Sequence, residues 1–294
     1  MSSATTTSAR LYRQRLSPIA LVAVLSLAVV GWWLSVGRMQ GMDAGPGVAL
    51  GALGWFAATW LLMMAAMMLP AIAPVLAVEC VPRRGRAGSA RAMLVSAAFL
   101  AAYLAVWALA GTSAYLVLRA GRAVAGGAFE WHRGGRWLAA AVLALAATYQ
   151  LSATKRRWLA RCRAPLTRED GEPVRELGQA ARAGLRTGIR CLASSWALMA
   201  VLFALGAMSL VWMAVVSALI AAERLSPVAA PARIAAAGAL LVLAVGVGLA
   251  PGSVPGLTVP GSPAATRAMA RMSGMSSAMH GQRMGARHPM QTKP

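Results

Sequence analysis

The stretch TWLLMMAAMMLP, residues 59–70, indicates the fold class and poses the functional question. It places four methionines within six positions, inside an apolar run that is too long and too uncharged for a soluble helix. In a helix, Met63 and Met67 lie on one stripe, and Met64 and Met68 lie on the adjacent stripe. A thioether can fill a gap against a neighbouring helix, or it can bind a soft cation such as Cu(I). The stretch alone leaves both interpretations open.

Composition extends the membrane interpretation to the whole chain. Of the 294 residues, 59% are hydrophobic and 13% are charged, whereas soluble domains are nearer half apolar and about a quarter charged. The net charge of +21 comes mainly from arginines in loops that flank apolar runs, so we expect membrane lipid as a partner and no nucleic acid. Three scattered cysteines are too few for a disulfide framework. The sequence contains no Rossmann, P-loop, HExxH or GxSxG motif.

The apolar runs predict an all-α fold, a polytopic transmembrane helix bundle of about seven spans. A basic segment, residues 1–17, precedes a transmembrane domain over residues 18–250. Residues 251–294 are rich in Pro, Gly, Ser and Met and are predicted to be a disordered tail. We expect Pro70 and Pro74 to end or bend the second span, because proline lacks the amide that a helix needs. The predicted spans are 18–36, 49–69, 91–118, 136–154, two within 191–222, and 233–250.

The stretch 191–222 is the ambiguous part of this layout. As one helix it would measure about 48 Å, well over the roughly 30 Å hydrocarbon core, so we divide it near Gly206–Ser209. A single crossing would give about six spans. Basic residues concentrate on the side that holds the N-terminus, which predicts a cytoplasmic N-terminus and, with seven spans, a periplasmic or exterior tail. The longest loop, 155–190, includes Pro173–Arg186, whose helical spacing of apolar residues predicts a helix lying flat on the membrane.

The tail supplies a second group of soft ligands. Thioethers select Cu(I), and added imidazoles let a site hold Cu(II) as well. The tail has no core for these side chains to pack into, which favours metal capture over a low-complexity tail with incidental methionines. Its five basic residues count against capture, because they repel cations. The candidate ligands are Met272, Met275, Met279, His280, Met284 and His288.

One face of the fifth span combines small and sulfur-containing side chains. Cys191, Ser194, Ser195 and Met199 recur at helical spacing. This face is typical of a small-residue interface that lets membrane helices approach closely, and Cys191 and Met199 could equally bind a soft metal ion. At the end of the apolar stretch, an ion pair at the membrane edge is an adequate explanation for Glu223-Arg224.

Several blocks occur in the order of a known family. They are Trp60-x-x-Met63 with Ala66–Pro70; Tyr149-Gln150-Leu151 with Lys155 and Cys162-Arg163-x-Pro165; Gly184, Gly188, Cys191 and Trp196–Met199; Gly206-x-Met208 with Trp212-Met213; and Glu223-Arg224. Over about residues 50–225, the chain resembles a bacterial family of predicted metal-binding integral membrane proteins, long known as a domain of unknown function.

The resemblance implies a metal site within the bacterial inner membrane and a copper-chaperone role toward a copper-dependent enzyme. The chain departs from the family at Ser194 and Ser195, where the family usually has cysteines before the tryptophan. A hydroxyl oxygen is a poorer ligand for Cu(I) than a thiolate. If those cysteines bind metal in the relatives, the site of this chain is weakened or altered.

We therefore predict a non-enzymatic membrane protein that binds Cu(I) and delivers it to a cuproenzyme. The predicted ligands within the spans are the thioethers of Met63, Met64, Met67, Met68 and Met199 and the thiolate of Cys191. The alternative is a structural or assembly subunit, or a solute transporter, in which the methionine-rich helix serves only packing. Proton- or sodium-coupled transport is disfavoured because the sequence indicates no buried acid or base in mid-span. An enzyme is disfavoured because the spans show no nucleophile–base pair.

Overall fold

The computed structural model describes residues 18–40, 43, 45–46, 51–79, 89–125, 127, 130–163, 176–206, 209–225, 229–271 and 274. Across these ranges every regular element is a helix, so the predicted all-α class is confirmed for this part of the chain. The helices are α1 (Pro18–Met39), α2 (Leu53–Glu79), α3 (Ser89–Ala125), α4 (Arg136–Leu151), α5 (Ala153–Arg163), α6 (Leu177–Leu205), α7 (Leu210–Leu225), α8 (Ala229–Leu249) and α9 (263–271). A π-helical turn, Trp131–Gly135, leads into α4.

Five of the described helices are long and apolar enough to cross a membrane. A sixth crossing results if α4 and α5, which meet at 68°, form one broken span. With 16 residues, α7 is about 24 Å long, shorter than the roughly 30 Å hydrocarbon core. The helices are therefore compatible with a polytopic bundle, and the count of seven spans stays a prediction. The apolar segments of these five helices are Val22–Met39, Leu53–Ala73, Met93–Ala125, Leu177–Leu205 and Ala230–Leu249.

The methionine-rich helix α2 is the most buried of the five long apolar helices. It packs along α1 and also contacts α3 and α7. The close approach of α1 depends on Gly31, where an added Cβ would lie 3.2 Å from the Cα of Ala66. Pro70 and Pro74 do not end α2, which continues to Glu79, so that part of the expectation is wrong. A helix can continue past a proline when packing on several sides compensates for the missing amide hydrogen bond.

The predicted loop 155–190 is largely helical in the structure. It begins with α5, and from Leu177 it forms the first turns of α6. The helix predicted over Pro173–Arg186 is therefore confirmed from Leu177 onward but is continuous with a long apolar helix, and its flat position on the membrane stays a prediction. Packing on α3 explains the long α6. A Cβ at Gly184 would overlap the carbonyl oxygen of Phe99, so these backbones touch where any side chain would separate them.

The division of 191–222 falls where it was predicted. α6 ends at Leu205, and α7 begins at Leu210. Gly206 adopts a φ of +125°, a conformation that glycine tolerates and residues with a Cβ rarely adopt. Its amide donates to the Leu202 carbonyl at 3.0 Å and completes the last turn of α6. α6 therefore ends at a glycine whose positive φ takes the backbone out of the helical conformation.

The segment after α8 differs from the predicted disorder over residues 251–271. It forms the short 3-10 turn Pro251–Ser253 and α9, and Val254 and Ala265 are buried. Its scattered apolar residues pack on the bundle core, which a composition dominated by Pro, Gly and Ser does not reveal. The N-terminal segment 1–17 lies outside the described residues. The same holds for the candidate tail ligands Met272, Met275, Met279, His280, Met284 and His288.

Candidate metal centre

Three sulfur atoms from three helices gather in one region of the bundle: Met68 on α2, Cys162 on α5 and Cys191 on α6, here named the sulfur cluster. The Met68 Sδ lies 3.8 Å from the Cys191 Sγ, although the two residues are 123 positions apart. Met68 and Cys191 are fully buried, and Cys162 is partly buried. The Cys162 Sγ lies 3.7 Å from the hydroxyl of Ser194, one turn after Cys191. Soft donors therefore converge in the core.

The bend between α4 and α5 brings Cys162 to this place. Ser152 interrupts the helix with an extended backbone, and its Oγ accepts a hydrogen bond from the Lys155 amide at 3.1 Å. This hydrogen bond is a helix N-cap, which starts α5 in a new direction. α5 then packs against α6, so Cys162 faces Ser194.

Arg224, near the end of α7, reaches both thiols. Its Nη2 lies 2.6 Å from the Cys191 Sγ, 3.9 Å from the Cys162 Sγ and 3.5 Å from the Ser194 Oγ. A guanidinium stays charged under all physiological conditions and only donates hydrogen bonds. Arg224 therefore places a permanent positive charge against the two thiols.

Glu223 forms its ion pair with Lys155 of α5. The Lys155 Nζ lies 2.8 Å and 3.0 Å from the two Glu223 carboxylate oxygens, and the side chains are 1% and 3% exposed. The sequence explained Glu223-Arg224 by an ion pair at the membrane edge. The structure corrects this interpretation, because the salt bridge of Glu223 with Lys155 is buried while Arg224 contacts sulfur. A fully buried ion pair is costly to desolvate and is retained only with good geometry.

Hydroxyl groups surround Cys191. The Tyr103 hydroxyl, fully buried on α3, lies 3.0 Å from its Sγ. Ser194 and Ser195 instead donate to the Cys191 carbonyl oxygen at 2.9 Å and 2.8 Å. Serine hydroxyls often bond back to the preceding turn of their own helix in this way. Where the resembling family usually has cysteines, this chain therefore uses side chains that cap a backbone carbonyl.

The remaining predicted thioethers are buried but more distant from the thiols along their helices. Met63, Met64, Met67 and Met199 belong to the same core cluster as Met68 and Cys191. Met64 lies one helical turn, about 6 Å, from Met68 on the same face of α2. Their burial agrees with the packing interpretation as well as with a ligand role.

A second cluster, near the start of α2 and the end of α6, consists of rings: Phe56, Trp60, Tyr115 and Phe203, here named the aromatic cluster. Trp60 stacks on Phe203 with centroids 5.2 Å apart, and Phe56 meets Tyr115 at the same distance. The Trp60 Nε1 donates to the Trp107 carbonyl oxygen, and the Tyr115 hydroxyl donates to the Gly51 carbonyl oxygen, each at 2.8 Å. On α2, Trp60 and Met68 are about 12 Å apart.

The donor set of the sulfur cluster suits a soft monovalent ion. Within the described ranges, no group of three or more His, Cys, Asp or Glu side chains could hold a metal ion. Two thiols and a thioether are a different set, which favours Cu(I). Sequence reasoning selected Met68 and Cys191. It missed Cys162, Tyr103 and the role of Arg224, although the first and last belong to blocks that the chain shares with the resembling family.

Comparison with known proteins adds one match. A family model described as PpoB2, copper chaperone, matches residues 57–249, which is more than half of the chain. The matched region contains every member of the sulfur cluster as well as Arg224. No curated protein and no solved structure gives a significant match to the chain.

Proposed function

The chain belongs to the PpoB2 copper chaperone family, and from this premise we propose that it is a membrane-embedded protein that binds Cu(I) and delivers it to a copper-dependent enzyme. The family supports the copper-related role, and the five long apolar helices support membrane embedding. The observation that carries the proposal is the 3.8 Å approach of the Met68 Sδ to the Cys191 Sγ. Copper is the cargo of this protein rather than a resident cofactor.

Met68 and Cys191 are the proposed central ligands. Two sulfur atoms 3.8 Å apart can contact one ion, because metal–sulfur bonds in proteins are about 2.3 Å long. A thioether gives the ion a neutral soft ligand, and a thiolate gives it an anionic one, so the pair discriminates against hard cations. The burial of both side chains keeps water away from the ion.

The other methionines are proposed to serve as exchange ligands along the bundle. Met63, Met64 and Met67 on α2, with Met199 on α6, place further thioethers in the core around Met68. Thioethers one turn apart are separated by about 6 Å, which allows an ion to change ligands one at a time. The tail ligands Met272, Met275, Met279, His280, Met284 and His288 are proposed to capture copper first, on the periplasmic or exterior side.

The competing function is a structural or assembly subunit without metal. It is favoured by one observation: the five methionines of α2 and α6 are buried among apolar residues, where thioethers are ordinary packing groups. This alternative does not explain why the Met68 thioether lies beside a thiol that also contacts a guanidinium. The chaperone family name suggests a non-catalytic role, in line with the expectation from the sequence.

The test is the copper content of full-length protein, purified in detergent after growth with added copper. We expect about one copper per chain in the wild type, a large loss in Met68→Leu and Cys191→Ser, and no loss in Met39→Leu. Met39 is the matched control, because it is equally buried but lies at the far end of α1. Wild-type copper content in both Met68→Leu and Cys191→Ser would contradict the assignment.

A truncation after residue 271 tests the tail separately. It keeps α9 and removes the candidate tail ligands. Copper near one per chain in the truncated protein would place the main site in the bundle. Copper bound only by the full-length chain would make the tail the binder, with the bundle as its scaffold.

A further inference from the structure

Both cysteines of the sulfur cluster contact the same guanidinium nitrogen. The Arg224 Nη2 lies 2.6 Å from the Cys191 Sγ and 3.9 Å from the Cys162 Sγ, so the two thiols approach one point from α6 and α5. Met68 reaches Cys191 from the side of α2. The thiol of Cys162 is therefore placed to join Met68 and Cys191 around a common ion, which the sequence did not indicate.

The charges around this point are unequal. Lys155 and Glu223 form a buried ion pair whose charges cancel, and Arg224 adds one positive charge in direct contact with the thiols. Arg190 and Arg233 add positive charge farther out, where their partial exposure lets solvent screen it. Cysteines bind metals as thiolates, so each thiol loses its proton to solvent when the ion enters. Two thiolates with a monovalent ion carry one net negative charge, which Arg224 neutralises. Two thiolates with a divalent ion are already neutral, and Arg224 would then be left as an unbalanced, partly buried charge.

We propose that Cys162, Cys191 and Met68 form one metal site with Arg224 as its counter-cation, and that this arrangement selects monovalent soft ions over divalent ones. This inference rests on the proposed copper function and adds a third ligand and the origin of selectivity. Arg224 is a positioning residue: it supplies no lone pair to the metal but donates hydrogen bonds to the thiolates.

Neighbouring hydroxyls agree with an anionic sulfur site. The Tyr103 hydroxyl lies 3.0 Å from the Cys191 Sγ and can donate to it. The Ser194 hydroxyl donates to the Cys191 carbonyl oxygen, and its oxygen accepts from the Arg224 Nη2 at 3.5 Å, which holds the guanidinium beside the thiols. Hydroxyl donors beside thiolates stabilise the negative charge and orient the ligands, as partners outside the ligand set do in many metal sites. Groups from α3, α5, α6 and α7 thus support the same charge distribution.

The experiment measures Ag(I) and Zn(II) binding to the full-length protein in detergent, each alone and in competition, by mass spectrometry of the desalted protein. Ag(I) serves as a redox-stable monovalent soft ion. We expect the wild type to prefer Ag(I), Cys162→Ser to lower the Ag(I) affinity, and Arg224→Gln to lower it about 10- to 100-fold. Zn(II) binding should stay constant or rise in Arg224→Gln, so the Ag(I)/Zn(II) preference falls.

Two further variants separate charge from folding. Arg224→Lys keeps the positive charge and should retain most of the preference for Ag(I), whereas Arg136→Gln removes a charge at the start of α4 and should change nothing. If Arg224→Gln does not fold, as judged by gel filtration, Cys162→Ser and Arg224→Lys decide the result. X-ray absorption of the bound silver should show one sulfur fewer in Cys162→Ser than in the wild type.

The outcomes distinguish this inference from the function on which it rests. A wild-type protein that binds neither copper nor silver would overturn both. Other results would overturn only the three-sulfur, charge-selected site. These are a wild type that binds silver while Arg224→Gln keeps the same Ag(I)/Zn(II) preference, or while Cys162→Ser keeps the same silver affinity and the same number of bound sulfur atoms.

Discussion

The aromatic cluster and the sulfur cluster are built on the same helices but by different chemistry. At the aromatic cluster, α2, α3 and α6 meet through rings, and the polar atoms of Trp60 and Tyr115 donate to backbone carbonyls. Around the sulfur cluster, the same three helices supply a thioether, a hydroxyl and a thiol, and α5 and α7 add a second thiol, a guanidinium and an ion pair, under full or partial burial.

This difference in chemistry indicates that the aromatic cluster serves packing and that the sulfur cluster is suited to metal binding. Stacked rings with bonded polar groups stabilise a core without further partners. Buried charges and thiols stabilise it poorly, because desolvation offsets much of their attraction. Such groups gather at functional sites more often than chance packing would place them there. Variants of the aromatic cluster should therefore change stability alone, and variants of the sulfur cluster should change metal binding as well.

The largest expected effect is at the buried ion pair. Glu223→Gln should lower the free energy of unfolding by about 3 to 5 kcal/mol, because it leaves the Lys155 ammonium buried without its carboxylate partner. Thermal unfolding in detergent, followed by the helical circular dichroism signal, measures the loss. The double variant Lys155→Gln, Glu223→Gln removes both charges and should recover most of the stability. A Glu223→Gln protein that melts like the wild type would contradict the buried pair.

A smaller effect is expected at the aromatic cluster. Trp60→Phe should lower the free energy of unfolding by about 2 kcal/mol, because the Trp107 carbonyl loses its donor and the ring fills less space. Thermal unfolding measures this loss, and metal analysis should find the copper content of the wild type. Copper loss in Trp60→Phe would show that the aromatic cluster and the sulfur cluster are coupled, and would contradict the assignment of packing to one and metal binding to the other.

The smallest effects come from one substitution made at two positions on α3, one beside each cluster. Tyr103→Phe and Tyr115→Phe each remove a hydroxyl and should each cost about 1 kcal/mol of stability. Only Tyr103→Phe should also weaken Ag(I) binding, because only its hydroxyl lies beside Cys191. Parallel melting and silver titrations compare the pair. Equal silver affinity in the two variants would argue against a role for Tyr103 at the sulfur cluster.

The helical class and most of the apolar helices could be predicted because hydropathy and length are local properties. The break at Gly206 was also predicted, from the length of the apolar stretch 191–222. Length alone does not decide such a break, because the 33-residue apolar segment Met93–Ala125 of α3 remains one helix. The helix α5 and the continuity of residues 177–190 with the rest of α6 could not be predicted in this way. α6 extends back to Leu177 because Gly184 packs directly on the Phe99 backbone, a contact between residues far apart in sequence.

The sequence by itself determined the donor types of this protein: thioethers on one helix, a cysteine on another, and arginines at the ends of apolar runs. It also placed Met68 and Cys191 among the candidates. Only the tertiary structure decided which donors meet. The turn at Ser152 directs Cys162 toward α6, and the packing of α7 brings Arg224 to both thiols while Glu223 joins Lys155. These distances depend on helix directions and close backbone contacts, which residue spacing along a chain does not specify.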